Sequence, residues 1–357
     1  MVMAAPGLIR HPQHNSEASS TSLRFWARSI GDRNPRYVRD GYAPEGSPAF
    51  MAHPCWLYSV NDTAIDVGAP GEVPIIAGAA WSFERAVVPG DIVSTRSTLL
   101  GQRRVQSRHA GAAWLQRARV DYLDPRGTRH ASVEVDLLRV DPAAARQAGK
   151  HAAWQRWKFT PEQLAAVERD YDAEFVRGAA PLYADEVNVG DAVPPIVRGP
   201  VTSEEMTMFT GATRPIASIS TFMAGVRDGS VAGFIHPRTG TWETHAAGLI
   251  DDDAARQLGF PAAHDYGIDR IAQSCSLVAN WMGDHGQLLS LAARLHAPCM
   301  LGDVNWFAGR VVAVRCDAET GAVRLEFSGV NQRGDTTLSG QAVVPLPVRP
   351  RTGGAAR

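Results

Sequence analysis

The chain has 357 residues, a formal charge of −1, 45% hydrophobic and 20% charged residues. That length suggests about two domains with apolar content enough for a sizeable core, and the near-neutral balance offers no basic field to nucleic acid or to an acidic membrane. Cys55, Cys275, Cys299 and Cys316 contain no Cys-x-x-Cys pair, so they read as free thiols of a reducing, cytoplasmic compartment and not as a disulfide frame or zinc site.

Taken in chain order, residues 1–20 are polar, lack the apolar stretch of a signal peptide and read as a disordered tail. Leu23, Trp26 and Ile30 give a short helix one apolar face. A longer helix is expected from His53, with Pro54 tolerated in its first turn. Strands follow at 75–84, 91–100, 112–122 and 128–138, and Asp124-Pro125-Arg126-Gly127 is the turn of the last hairpin. Thr160 and Gln163 form a capping box that opens a helix with Leu164, Val167, Tyr171 and Phe175 on one face. A strand at 188–196 and a second capping box at Thr202 precede the strongest helix of the chain. It starts near Asp265, carries Ile268, Ile271, Cys275, Val278 and Met282 on one face, and ends at Gly283. Strands at 288–295, 303–314, 323–330 and 336–344 complete the chain. No apolar run approaches about 18 residues, the length a membrane-spanning helix needs.

This order repeats. Ala43 lies ten residues before His53 and Gly90-Asp91 begins 37 after it; Ala254 lies ten before His264 and Gly302-Asp303 begins 38 after it. Each copy closes on an alternating hairpin with Arg-Gly in its turn. A duplicated unit is expected, with the site between copies. The expected division is a tail at 1–20, a first unit at 21–148, a linker helix at 149–186, a second unit at 187–349 and a short tail at 350–357. Gly31 to Pro35 aligns with Gly211 to Pro215 at an offset of 180, whereas Asp40/Asp251 and His53/His264 align at 211. The second copy therefore holds 31 extra residues (211 − 180). Within them the glycine-rich segment 216–244, with Phe222, Phe234 and Trp242, is expected as a lid over the site or as a dimer contact.

The stretch FWARSIGDRNPRYVRDGYA resembles the entry motif of the MaoC-like dehydratases and R-specific enoyl-CoA hydratases, Gly-Asp-x-Asn-Pro-x-His with a later Ala. Gly31, Asp32, Asn34, Pro35 and Ala43 fit it, and Tyr37 stands where that family has histidine. The segments from Ala279 to Asp303 and from Asn331 to Pro347 are similar to the second half of its fused members. The resemblance implies an α+β double hotdog, two curved antiparallel sheets each wrapping a central helix, with an acyl-thioester channel between the units. It implies an acyl-CoA or acyl-carrier thioester as partner; a homodimer or higher oligomer is expected, with no cofactor, and the scattered cysteines and unclustered carboxylates give no expectation of a metal.

The family moves protons with an Asp and a His. His245 and Asp251 are the candidate catalytic pair, both in the second copy. Gly267, opening the strong helix, is a candidate oxyanion donor because helix N-terminal N–H groups are unpaired and carry positive dipole; a glycine also simply suits a helix entry. Secondary candidates are Asp32, Asn34, Tyr37 and Asp265. Asp32 keeps the place of the family's carboxylate, or serves as a turn and cap residue, and Asp265 pairs with Arg270 or leaves Arg270 for a CoA phosphate. His53 and His264, in equal places, read as structural residues ahead of their helices. Asp251, Asp252 and Asp253 read as helix caps. The expected activity is hydration or dehydration of an acyl thioester, with a hotdog thioesterase and a non-catalytic acyl-binding subunit as alternatives.

Overall fold

Alternating strands from both halves of the chain join in one sheet. The computed structural model describes residues 7–9, 13–63, 71–213, 220, 223, 227, 233–316 and 320–349. The first half supplies β1 (Gly7–Ile9), β2 (Val73–Phe83), β3 (Ser94–Ser107), β4 (Gly111–Leu123) and β5 (Arg129–Val140). The second supplies β6 (Ala192–Arg198), the small hairpin β7 (Gly233–Ile235) and β8 (Trp242–Thr244), then β9 (Ser290–Leu295), β10 (Asn305–Cys316), β11 (Thr320–Asn331) and β12 (Thr336–Pro347). Ten of these form a sheet of order β1-β3-β4-β5-β2-β9-β12-β11-β10-β6, antiparallel throughout. The two halves meet edge to edge where β2 pairs with β9, from Gly78 opposite Arg294 to Ser82 opposite Ser290.

The second unit wraps the long helix Gly267–Met282, and every residue of it from Ile268 to Met282 is buried. A helix apolar on one face and small or polar on the other is buried all round only when two bodies enclose it. Here the helix touches β6, β10, β11 and β12 of its own unit and β2 of the other. Its polar residues therefore face protein, and two of them, Ser276 and Asn280, enter the site.

The first unit departs from expectation. The helix expected from His53 is a six-residue 3-10 helix, Pro54–Ser59. It stops because Asn61 turns the chain: its Oδ1 accepts the Thr63 N–H at 2.9 Å and its Nδ2 donates to Thr95 and Ser97. Thr63 stands at φ 60°. The expected continuation at 64–66 lies outside the described residues. Aromatic rings pack beside the short helix. Trp81 stacks on Phe83 and Tyr122, both at 5.3 Å, meets Tyr58 edge-on at 4.9 Å, and donates to the Tyr58 hydroxyl at 2.9 Å.

Of the tail expected at 1–20, residues 1–6 and 10–12 lie outside the described residues, as does the tail expected at 350–357, and the described ones depart from expectation. Gly7–Ile9 pairs with β3, Ala18 is fully buried and Ser19 caps the helix Ser20–Ser29. The capping box at Thr160 forms and opens the helix Pro161–Asp172. Only part of that helix's expected apolar face packs: Val167 and Tyr171 meet Val197, Val304 and Trp306, while Leu164 and Phe175 stay exposed.

Candidate functional site

The site begins where the helix Ser20–Ser29 ends. The Gly31 N–H still donates to Arg28 and the Asp32 N–H to Ala27, both at 3.0 Å, before the chain turns. Gly31 has φ 70°, and a Cβ there would come within 3.1 Å of the Arg198 Cδ. The turn folds Asp32 inward. Its Oδ1 accepts the Asn34 N–H at 2.7 Å, and Asn34 in turn accepts the Arg36 N–H at 3.1 Å to cap the short helix Pro35–Val38. Gly-Asp-x-Asn-Pro is thus a self-contained bend whose carboxylate leaves one oxygen free to face elsewhere.

That second oxygen meets the other unit. Asp32 Oδ2 accepts the Ser276 hydroxyl at 2.6 Å, from the middle of the long helix. Ser276 Oγ lies 3.3 Å from His53 Nε2, and His53 Nε2 lies 3.6 Å from Asp32 Oδ2. His53 Nδ1 accepts the Cys55 N–H at 3.2 Å, which leaves Nε2 as the protonated nitrogen of the neutral ring. Trp26 and Tyr37 hold the ring from two sides, at 5.3 and 5.2 Å. Asp32, His53 and Ser276 are all buried. Burial pushes the Asp32 carboxyl above the usual carboxylate range, while the bonds from Ser276 and Asn34 and the charge of Arg198 pull it back.

A second tier fixes the first. Asn34 Nδ2 donates to Asn280 at 3.4 Å, Asn280 donates to Glu174 at 3.1 Å, and Arg198 grips both oxygens of Glu174 at 2.9 and 3.1 Å. The segments of Glu174 and Arg198 therefore brace the contact between the Asp32 bend and the long helix.

A cavity of about 400 Å³ opens beside this cluster. His53 and Tyr37 stand in its wall with Leu57, Phe83, Val87 and Met282, and Arg36 and Asp284 give it a polar side. Arg36 donates to the Asp284 carbonyl at 2.9 Å, and the Asp284 carboxylate accepts Tyr42 at 2.8 Å and Ser47 at 3.0 Å. Burial raises the Tyr37 hydroxyl far above its ordinary range, so it stays protonated and serves as a hydrogen-bond donor.

Known proteins share the fold. Residues 9–133 match the FAS1-like dehydratase domain region, a stretch that contains Asp32 and His53. A solved MaoC-like dehydratase superposes with a TM-score of 0.62 at 16% identity, covering 96% of this chain and 98% of its own. A MaoC domain protein dehydratase from Chloroflexus aurantiacus gives 0.55 at 14% identity over 98% and 97%. A Mycobacterium tuberculosis protein with a double hotdog fold gives 0.56 at 12% identity over 95% and 97%. No match is found among curated proteins. The fold is the double hotdog of the MaoC-like dehydratases.

Within this MaoC-like frame the expected site residues scatter. Asp251 caps the helix Asp252–Gln257 through the Ala254 N–H at 2.9 Å, and its two oxygens also take His236 at 3.1 Å and Arg238 at 2.8 Å. Its carboxylate is thus engaged with His236 and Arg238, away from the cavity. His245 opens the 3-10 helix His245–Leu249 with its ring 6.4 Å from Phe234, and it does not line the cavity. Gly267 opens the long helix, but a Cβ there would lie 2.5 Å from Leu295 and 3.5 Å from Ile76. The glycine lets helix and sheet touch, and no described cavity opens on it. Asp265 and Arg270 form a buried pair, and Arg270 also donates to the carbonyls of Ala297 and Thr337, which leaves it no phosphate to hold. In the described part of the segment 216–244, Phe234 packs against the buried cluster that includes Val73 and Phe260, and it does not line the cavity; Phe222 lies outside the described residues.

The structure does bring Asp32, Asn34 and Tyr37 to one place. Sequence reasoning missed His53 and Ser276 as their neighbours. The signal for His53 was its repeated place, which points equally to a structural role. Ser276 carries no signal short of knowing that the long helix presents its polar face to the other unit.

Proposed function

We propose that the chain is an acyl-thioester hydratase or dehydratase whose site lies in the first unit, at Asp32 and His53. The observation that carries this reading is the Asp32–Ser276–His53 cluster set against an apolar cavity of about 400 Å³, a volume within the range of ligand pockets. Hydration adds water across the double bond of a 2-enoyl thioester, oxygen to the β-carbon and a proton to the α-carbon; dehydration is the reverse. Both directions need one group to hold a proton and another to balance the charge. His53 stands in the cavity wall and carries the mobile proton. Asp32, linked to it through Ser276, sets its orientation and balances its charge. Tyr37, in the family's histidine place, offers a hydroxyl donor to the oxygen that gains charge.

The thioesterase alternative needs a water activated for attack on the thioester carbon, and the same cavity suits either thioester. The test offers the purified chain a 2-enoyl-CoA and follows both 3-hydroxyacyl-CoA formation and free thiol. Hydration without thiol release supports the proposal. Thiol release alone makes it a thioesterase, and neither reaction with acyl-CoA still bound makes it a binding subunit.

A further inference from the structure

Several buried groups lie outside the proposed proton path. Asp269, in the first turn of the long helix, has an unpartnered Oδ1, yet no described cavity reaches it. Buried His236 clusters with half-buried Asp251 and Asp253, but Arg238 already supplies a cation to the two carboxylates at 2.8 and 3.1 Å. The cluster at His53 is different. His53, Cys55 and Cys275 place a ring nitrogen and two sulfurs all within 4.8 Å of one another, and all three residues are buried.

We propose that His53, Cys55 and Cys275 bind a thiophilic divalent cation, Zn²⁺ or Cd²⁺. One imidazole and two thiolates form a donor set that such ions take in tetrahedral geometry with a fourth position open. The surroundings supply an independent observation. A metal-bound histidine commonly donates its other N–H to an outer carboxylate, which fixes the tautomer. His53 already has that arrangement, with Nε2 turned to Ser276 and Asp32 while Nδ1 faces Cys55. Nδ1, which accepts the Cys55 N–H at 3.2 Å, is thus the nitrogen left for the ion, and the Cys275 thiol already lies in hydrogen-bond contact with the His53 ring and with Cys55. The ligands also come from both units, His53 and Cys55 from the short 3-10 segment and Cys275 from the long helix. Cation entry follows the cavity whose wall includes His53. Binding displaces one proton from each thiol to solvent, and no electrons move. An ion held here clamps the two units together and ties up His53.

The test reads binding without turnover, so it stands apart from the hydratase reading. The reduced full chain, loaded with one equivalent of Zn²⁺, is measured by X-ray absorption. The expected shell has two sulfurs at about 2.3 Å and the rest nitrogen or oxygen. A shell without two sulfurs, or failure to retain an equivalent of Zn²⁺, overturns the proposal. Cd²⁺ titration adds the assignment through its ultraviolet thiolate charge-transfer band. Folded Cys55→Ala and Cys275→Ala variants should each weaken binding at least about tenfold and reduce the band, while Cys316→Ala, an exposed thiol, should leave it unchanged. A band that depends on Cys316 and survives the other two substitutions overturns the assignment.

Discussion

His53 and His264 hold the same place in the two copies and meet different neighbours. His53 turns Nε2 to Ser276 and Asp32. His264 turns Nδ1 to the Asp265 carbonyl at 2.8 Å, with its ring centroid 3.9 Å from Phe260. The difference follows from what the motif kept: Asp32 in the first copy corresponds to Ala212 in the second. A histidine without a carboxylate opposite it becomes a packing residue. Ser276 is the joint on which the first arrangement depends. Ser276→Ala removes a donor from a buried carboxylate, and leaving such a group short of a partner costs about 1–3 kcal/mol. Urea unfolding should show that loss, and an unchanged midpoint would mean that the Ser276–Asp32 bond carries no weight.

The joined sheet places the demand for close approach on single residues of its strands. At Gly78, in the β2–β9 seam, an added Cβ would meet the Ala293 carbonyl oxygen at 2.7 Å and the Arg294 Cα at 3.3 Å, both backbone atoms that cannot swing aside. Gly78→Val should therefore open the seam and lower the urea midpoint strongly, whereas the same change at Gly101, with nothing within 4 Å, should cost far less. Equal effects at the two positions would show that the seam does not constrain the chain. Most elements were legible in sequence because their periods are clean. Val133, Val135 and Leu137 alternate into the core on β5, and the long helix repeats at helical spacing. The short helix after His53 was not legible. Its apolar residues suit a longer helix, and the stop comes from tertiary bonds of Asn61 to Thr95, Ser97 and Tyr122. The site was half legible for the same reason. The bend at Asp32 is local and its motif shows it, but the partner Ser276 comes from the other end of the chain. His245 and Asp251 drew attention through the resemblance, as a histidine a few residues before the aspartate in the matching place of the second copy.

At the scale of the molecule, a cluster of histidines ties the two units and the segment between them. His109 of the first unit, His151 of the connecting segment, and Phe260 and His264 of the second pack ring against ring, with His109 to Phe260 at 4.9 Å and His109 to His151 at 5.4 Å. Burial lowers both His109 and His151 to about 4, with neighbouring positive groups helping. Their folded-state values lie below the unfolded value of about 6.5. The unfolded chain thus binds more protons between those limits, so stability is full above about pH 6.5 and falls as the pH drops toward 4. Unfolding midpoints measured from pH 7 to 5 should decline, and His109→Phe should flatten the decline. A midpoint flat over that window in the unaltered chain would contradict the cluster's neutral, buried state.

The central claim is that the proton chemistry belongs to the first unit and is reached across the unit boundary by Ser276. The most direct measurement is the rate of 2-enoyl-CoA hydration by three folded variants, Asp32→Asn, His53→Gln and His245→Ala, under one set of conditions. Loss of a general acid or base typically costs about 10² or more. The first two variants should fall by at least that factor, and His245→Ala should stay close to the unaltered chain. A fall in His245→Ala with Asp32→Asn and His53→Gln unimpaired would contradict the account and return the site to the second unit.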